Sequence, residues 1–152
     1  PGRPHGGCRG ASGEVAGGRS GGGARAQRVA TAAVDTARGE TREREQFDTK
    51  ISDVQGIQWK LADTYTEREA SRLLLMNAAY QKESGQPFMK QAAMAKLYAT
   101  EAANRACYTA LQLLGGAGYT EEYPLERYAR DVRVTSIYEG TSELQLHRKS
   151  GV

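Results

Sequence analysis

A stretch without proline, which begins at Gln27 and lasts until Pro87, most constrains the fold of this 152-residue chain. It is rich in Ala, Leu, Glu, Arg and Gln, the residues that favour an α-helix most strongly. No segment alternates between polar and apolar side chains for long enough to predict a strand. The sequence therefore predicts an all-α fold, most simply an up-down-up-down four-helix bundle with short connections.

Apolar spacing and turn signals mark the helix boundaries. Apolar residues recur at three- and four-residue steps, and glycine or proline separates these runs. The predicted helices span about residues 27–45, 54–82 and 89–114, followed by a shorter helix from Pro124 and a terminal helix capped by Thr141 or Ser142.

The first 26 residues differ in composition from the rest of the chain. Ten of the 18 glycines lie there with four Arg, and large apolar side chains are almost absent. Such a segment buries too little surface to offset its ordering entropy. We therefore predict a disordered Gly/Arg-rich tail over 1–26 and a helical domain over 27–152. Because the chain does not begin with Met, we expect it to be a fragment of a longer protein.

Charge and composition exclude several classes of function. The net charge of +3 is accounted for by the tail, so the helical domain is formally neutral and nucleic-acid binding is not expected. No apolar run is long enough for a membrane span or a signal peptide. Cys8 and Cys107 form no disulfide framework, and His5 and His147 are too isolated to predict a metal site. We expect a cytoplasmic protein, or one of the mitochondrial matrix in a eukaryote, with Cys107 as a small core residue.

Gly115, Gly116 and Gly118 are open to two interpretations. They most simply end the third helix as a glycine C-cap. A backbone without side chains also lets a cofactor approach closely. A dinucleotide fingerprint is excluded, since a helix precedes the glycines and Glu121 stands where the third glycine is required.

Glu139 is a candidate general base. It lies between Tyr138 and Gly140, beside the start of the predicted terminal helix. The simpler alternative is a solvated acid in a loop. A carboxylate in this position acts as a base only if the site excludes water.

Five segments together resemble one family, the C-terminal helical domain of FAD-dependent acyl-CoA dehydrogenases of the short- and medium-chain type. The matching strings are QGIQWKLAD from Gln55, AAMAKL from Ala92 with EAA from Glu101, QLLGGAGY from Gln112, YPLERYARD from Tyr123 and IYEGTSE from Ile137. In order and spacing they cover about residues 28–145.

The resemblance implies α,β-dehydrogenation of an acyl-CoA thioester. Glu139 falls at the position of the base that takes the α-proton while the β-hydride passes to flavin N5. Its backbone N–H would donate to the thioester carbonyl, and Gly140 would line the thioester. Relatives that keep their base on another helix lack glutamate here.

The resemblance also implies contacts to FAD from two subunits. Arg44 of an R-x-x-F segment would reach the pyrophosphate of a neighbouring subunit's FAD, with Phe47 packed near it. Thr141 and its neighbours would hold the same subunit's FAD at a helix N-terminus. The expected FAD contacts are Arg44, Gln46, Phe47, Gln55, Gln112, Leu113, Leu114, Gly115, Gly116, Thr141, Ser142 and Glu143.

Further expectations concern partners and completeness. The family forms homotetramers, passes electrons to an electron-transfer flavoprotein and has two domains ahead of the helical one. Between Arg28 and Phe47 the chain is shorter than the family by about two helical turns, which predicts a truncated first helix. After Gln145 it departs from the family's closing apolar helix, so we expect the isolated chain to be inactive. The alternative is a non-catalytic helical module that oligomerises without flavin.

Overall fold

The computed structural model describes the backbone of residues 6–149 and the side chains of residues 17–147. Two 3-10 segments, Ile51–Asp53 and Val134–Ser136, join longer elements. The all-α class is confirmed, and one small hairpin accompanies the helices. In order the elements are α1 (Gly6–Glu43), β1 (Glu45–Gln46), β2 (Thr49–Lys50), α2 (Gln55–Glu83), α3 (Met89–Leu114), α4 (Gly116–Tyr119), α5 (Leu125–Arg133) and α6 (Ser142–Lys149).

Helix α3 is the centre of the fold and packs against α1, α2, α5 and α6. Its bounds are those that the sequence predicts. Short alanine side chains cover its buried face, so the neighbouring helix axes approach closely. Helix α1 presents a matching face of small residues, and α5, the fourth member of the bundle, closes the core with Leu125 and Val132. The buried core residues of α1 are Ala26, Ala30, Ala33, Val34 and Ala37.

Helix α1 includes residues that the sequence assigns to a disordered tail. It begins at Gly6, and Arg19, Gly22 and Gly23 are buried within the fold. A Cβ atom at Gly23 would lie 3.0 Å from a methyl carbon of Leu75, so the missing side chain permits the close contact. This packing offsets the low helix propensity of glycine, roughly 1 kcal/mol per residue. Over residues 6–26 the structure therefore differs from the prediction, and the first helix is long rather than truncated. Residues 1–5 lie outside the described part.

The predicted apolar stripe of α2 is buried only in part: Leu61 and Tyr65 pack against the core, whereas Leu73 is exposed. The stripe consists of Val54, Ile57, Leu61, Tyr65, Leu73, Leu74 and Asn77. The buried residues of α2 are Thr64, Ser71 and Ala78, which are small enough for close packing against α3. Several other large apolar side chains of α2 are exposed, and Trp59 is 61% exposed. Within the described residues, α2 thus presents an uncovered apolar face formed by Trp59, Leu73, Met76 and Tyr80.

The β1–β2 hairpin lies directly after α1. Glu45 pairs with Lys50 in antiparallel register, and the turn residues Phe47 and Asp48 have φ of 55° and 58°. Two consecutive positive φ values are typical of a type I′ turn, which usually contains Asn-Gly. Phe47 is instead a bulky residue in a strained conformation, and it is 97% exposed. The sequence did not predict this hairpin.

Gly118 constrains the junction of α3 and α4, whereas Gly116 does not. A Cβ atom at Gly118 would lie 2.7 Å from the Leu111 carbonyl oxygen. A Cβ atom at Gly116 would have no other atom within 4 Å. We expect Gly118→Ala to lower the free energy of unfolding by about 1–3 kcal/mol. The matched Gly116→Ala variant should be neutral or more stable by up to about 1 kcal/mol. Urea unfolding compares the two, and equal stabilities would contradict this prediction.

No helix among residues 6–149 combines the length and the apolar character that crossing a membrane requires.

Candidate active site

Glu139 and Gly140 occupy a turn with an unusual backbone, between the second 3-10 segment and α6. Glu139 has φ of 55° and Gly140 has φ of 98°, whereas residues other than glycine rarely adopt a positive φ. A Cβ atom at position 140 would also overlap the side-chain amide nitrogen of Gln145. Glycine is therefore required at 140 on two grounds. Backbone strain of the kind seen at Glu139 clusters at functional sites.

The Glu139 side chain lies against the N-terminal part of α1. Cβ atoms at Gly18 and Gly22 would each lie 3.2 Å from its Oε2 atom, so the carboxylate rests on glycine backbone. This oxygen is buried and accepts no hydrogen bond within the described part of the chain. An unsatisfied buried carboxylate oxygen is costly and needs an explanation. The placement differs from that of a solvated loop acid.

Two buried polar side chains converge on the carbonyl groups of this turn. Lys96 donates from Nζ to the Gly140 carbonyl oxygen at 2.8 Å. Gln145 donates from Nε2 to the same oxygen at 3.2 Å and to the Glu139 carbonyl oxygen at 3.4 Å. Both side chains belong to residues with 0% exposure. Burial lowers the pKa of Lys96, and the negative charges of Glu101 and Glu139 act in the opposite direction.

The start of α6 forms a polar cavity beside this turn. The backbone N–H of Leu144 donates to the Thr141 hydroxyl at 3.4 Å, and the Ser142 hydroxyl donates to Glu101 at 2.6 Å. Hydrogen bonds from its own backbone N–H and from the Thr141 hydroxyl lower the pKa of Glu143. The cavity has a volume of about 390 Å³, and its lining includes Glu101, Arg133, Thr141, Ser142 and Glu143.

Arg44 meets the end of α3 at another point of the bundle. Its Nη1 donates to the Leu114 carbonyl oxygen at 3.1 Å, which joins residues that are 70 positions apart. The two residues line a cavity of about 230 Å³ with Leu113 and Tyr123. The other expected contacts nearby are exposed, namely Gln46, Phe47, Gln55, Gln112, Gly115 and Gly116.

The expected site residues thus form two separate groups. One group surrounds Lys96 and contains Glu139 and the start of α6, and the other surrounds Leu114 and contains Arg44. The rise of α3 between Lys96 and Leu114 amounts to about 27 Å. A single chain therefore does not place Glu139 next to the glycine turn that ends α3.

Cys107 is a core residue, and the described residues form no metal site. No group of three or more His, Cys, Asp or Glu residues in the described part of the chain could hold a metal ion. Cys107 is buried within the alanine-rich core, as the sequence predicts. Burial raises the pKa of its thiol from 9.0 to about 12.

The raised pKa of Cys107 predicts a loss of stability in alkali. Between pH 9 and about pH 12 the unfolded thiol has lost its proton while the folded thiol keeps it. The free energy of unfolding of the wild type should therefore fall faster than that of Cys107→Ala, by about 1.4 kcal/mol per pH unit. Urea unfolding of both proteins at several pH values in this window measures the difference. Parallel pH dependences would contradict the prediction.

A sequence model of the family described as acyl-CoA dehydrogenase, C-terminal domain, matches residues 5–149. The chain belongs to this family. The resemblance that the motifs indicated is therefore confirmed, and the match includes most of the glycine-rich segment that α1 contains.

Known relatives of this acyl-CoA dehydrogenase C-terminal domain include enzymes from bacteria and mitochondria. It is 48% identical to the mitochondrial short-chain specific acyl-CoA dehydrogenase of Bos taurus over 84% of this chain and 31% of the relative. An acryloyl-CoA reductase (NADH) of Anaerotignum propionicum is also 48% identical, over 84% of this chain and 32% of the relative. The butyryl-CoA dehydrogenase from Megasphaera elsdenii superposes with a TM-score of 0.88 at 43% identity, over 90% of this chain and 36% of that chain. The domain thus spans about a third of the length of these proteins.

Arg44 and the start of α6 differ in the charge that they offer to an FAD molecule. Arg44 is an exposed residue that lines its cavity, and a guanidinium suits an anionic pyrophosphate. The cavity at Thr141 has a different charge, because two carboxylates, Glu101 and Glu143, line it together with Arg133. Carboxylates suit the hydroxyl groups of the cofactor, and the positive charges of Arg133 and Lys96 both act on Glu143.

Four residues that shape the Glu139 turn were not predicted from the sequence: Gly18, Gly22, Lys96 and Gln145. The position of Lys96 in the sequence could have indicated its role, since it lies on the alanine face of α3 between Ala93 and Ala99. A lysine at such a position is rarely buried without a partner. The two glycines gave no signal, because their role depends on a side chain far away in sequence.

Proposed function

We propose that this domain supplies the catalytic base of an FAD-dependent acyl-CoA dehydrogenase, with Glu139 in that role. The observation that supports the proposal most is the buried Oε2 atom of Glu139, which accepts no hydrogen bond within the described residues and lies on glycine backbone. A base needs a free acceptor oxygen that is shielded from water until the substrate arrives.

The proposed chemistry is the removal of two hydrogens from adjacent carbons of an acyl-CoA thioester. Glu139 takes the α-proton, and the electron pair of that C–H bond forms the new double bond as the β-hydride leaves. When bound, FAD supplies the acceptor for this hydride. The Glu139 backbone N–H stabilises the negative charge that develops on the thioester carbonyl, and Gly140 leaves room for the thioester.

The separation of the two residue groups supports a role in an oligomer. Groups about 27 Å apart along α3 contact two different FAD molecules more readily than one. We assign Thr141, Ser142 and Glu143 to the FAD of the same subunit and Arg44 with its neighbours to that of another subunit. The exposed, strained Phe47 and the apolar face of α2 provide surfaces for a second copy, as a homotetramer requires.

The same base serves oxidation and reduction. One relative of the domain is named a reductase and another a dehydrogenase. The carboxylic acid that holds the α-proton after oxidation returns it in the reverse direction. We propose oxidation of an acyl-CoA, with an electron-transfer flavoprotein as electron acceptor.

A hybrid enzyme tests the proposal. In this hybrid, the chain replaces the corresponding C-terminal third of the Bos taurus relative, so that the preceding domains are present. The hybrid should absorb at about 450 nm, oxidise a short-chain acyl-CoA and reduce an electron acceptor. A colourless hybrid that takes up no added FAD would instead favour the non-catalytic helical module.

Arg44 should contribute to FAD affinity in the hybrid enzyme. Arg44→Ala removes a charge-assisted contact to the pyrophosphate, so we expect FAD to bind about 10- to 100-fold more weakly. The matched control is Arg42→Ala, another exposed arginine close by at the end of α1. Titration of the apoprotein with FAD measures both affinities. Equal affinities in the two variants would remove Arg44 from the proposed site.

A further inference from the structure

We infer that Lys96 is a positioning residue for Glu139: its ammonium group fixes the Gly140 carbonyl and so aims the glutamate side chain. The inference rests on the proposed role of Glu139 as base. It concerns the turn that carries the base, and it assigns no contact between Lys96 and the substrate.

The surroundings of Lys96 indicate a specific role. Its Nζ donates to the Gly140 carbonyl oxygen at 2.8 Å, and the residue is 0% exposed. A lysine is almost never fully buried unless it is paired, because moving its charge out of water is costly. Alanine occupies the neighbouring buried positions of α3, so packing alone does not require a charged residue here.

The strained turn needs an external support. Glu139 and Gly140 both have positive φ, and strain of this kind persists only where the surrounding structure enforces it. Release of the Gly140 carbonyl would let the turn relax. The Glu139 carboxylate would then leave its contact with Gly18 and Gly22.

Lys96 and Gln145 hold the same carbonyl oxygen from different elements. Gln145 lies on α6, directly after the turn, and its bond of 3.2 Å is longer than that of Lys96. A donor on α6 supports the turn only locally. Lys96 lies on α3, which also packs against α1. Lys96 therefore sets the position of Glu139 relative to the glycines of α1 on which its carboxylate rests.

The ammonium group also acts on the charges around the turn. Glu101, Glu139 and Glu143 all interact electrostatically with Lys96, as does the positive Arg19. A neutral side chain at position 96 would leave three carboxylates in this region with one positive charge fewer. Repulsion among them would add to the displacement of Glu139.

Lys96→Met in the hybrid enzyme tests the inference, since methionine has a similar length but neither charge nor donor. We expect kcat per bound flavin to fall by about 100-fold, the cost of a misplaced reacting group, with KM changed by less than about threefold. The matched control is Lys90→Met, an exposed lysine on the same helix, which should behave as the wild type. Lys96→Arg keeps a charged donor and should recover part of the lost kcat.

The outcomes separate a positioning role from a structural one. A Lys96→Met enzyme with lower stability or flavin content but wild-type kcat per bound flavin would overturn the inference. If Glu139→Gln abolishes turnover while Lys96→Met keeps the wild-type kcat per bound flavin, only the inference about Lys96 fails. If Glu139→Gln retains wild-type turnover, the proposed function itself fails.

A measurement on the unsubstituted chain covers the case in which the variants do not fold. Nuclear magnetic resonance detects a scalar coupling across a hydrogen bond between the Lys96 ¹⁵Nζ and the Gly140 carbonyl ¹³C. We expect this coupling, together with slow exchange of the ammonium protons. Its absence, with rapid exchange of those protons, would overturn the inference.

Discussion

Glu139→Gln should lower kcat of the hybrid enzyme by about 10³- to 10⁴-fold, the upper range for loss of a general base. The amide has nearly the same shape as the carboxylate but cannot accept the α-proton. Flavin content and KM should remain close to those of the wild type, since the substitution leaves the other proposed contacts in place. Steady-state oxidation of a short-chain acyl-CoA with an artificial electron acceptor measures the effect.

The control for this substitution is Glu83→Gln. Glu83 is exposed at the end of α2 and belongs to neither group of proposed site residues. Its variant should turn over at the wild-type rate. A Glu139→Gln enzyme within tenfold of the wild type would show that another group takes the α-proton.

The second large effect is expected at Gly140. An alanine there must adopt φ near 98°, and its Cβ atom would overlap the Gln145 amide. The turn must rearrange, so we expect Gly140→Ala to lower the free energy of unfolding by about 2–4 kcal/mol. We also expect kcat to fall by about 100-fold, because the rearrangement moves Glu139. Urea unfolding and steady-state kinetics on the hybrid enzyme test the two expectations.

Gly85→Ala provides the matched control. Gly85 also has a positive φ, of 68°, but nothing lies within 4 Å of the position of its Cβ atom. This variant should lose about 1–2 kcal/mol from backbone strain alone and keep its turnover. Equal losses of stability and activity in both variants would contradict the role of the Gly140 turn.

The sequence predicted the central helix of the fold well, and it did so for local reasons. Alanine recurs at helical spacing from Ala92 to Ala110, and Gly115 ends the helix at a positive φ of 61°. Such signals depend on neighbours in sequence. The N-terminal part of α1 could not be predicted in this way, because the value of Gly22 and Gly23 as helix residues comes from contacts with distant elements.

Helix α2 shows the limit of an apolar pattern. The apolar periodicity predicted a helix and a stripe of large residues. It does not show whether that stripe is buried within this chain. The small residues Thr64, Ser71 and Ala78 are buried within this chain. Leu61 and Tyr65 of the stripe pack against the core, while Leu73 and Met76 are exposed. An exposed apolar surface has the same sequence signature as a core face.

The individual residues of the candidate site could be predicted from the sequence, but their positions relative to one another could not. The family resemblance assigned roles to Glu139 and Arg44, and the structure places them in two groups separated by most of α3. The supporting side chains Lys96 and Gln145 act through backbone carbonyl groups. No motif of reactive residues reveals such contacts, because the carbonyl group is common to every residue.

Anaerobic mixing of the hybrid enzyme with a short-chain acyl-CoA, followed at about 450 nm, tests the central role of Glu139 most directly. The acyl-CoA should bleach the flavin of the wild-type hybrid within one turnover. The flavin of the Glu139→Gln hybrid should stay oxidised in the presence of the acyl-CoA and bleach only when dithionite is added. Bleaching of that variant by the acyl-CoA at the wild-type rate would show that Glu139 is not the base.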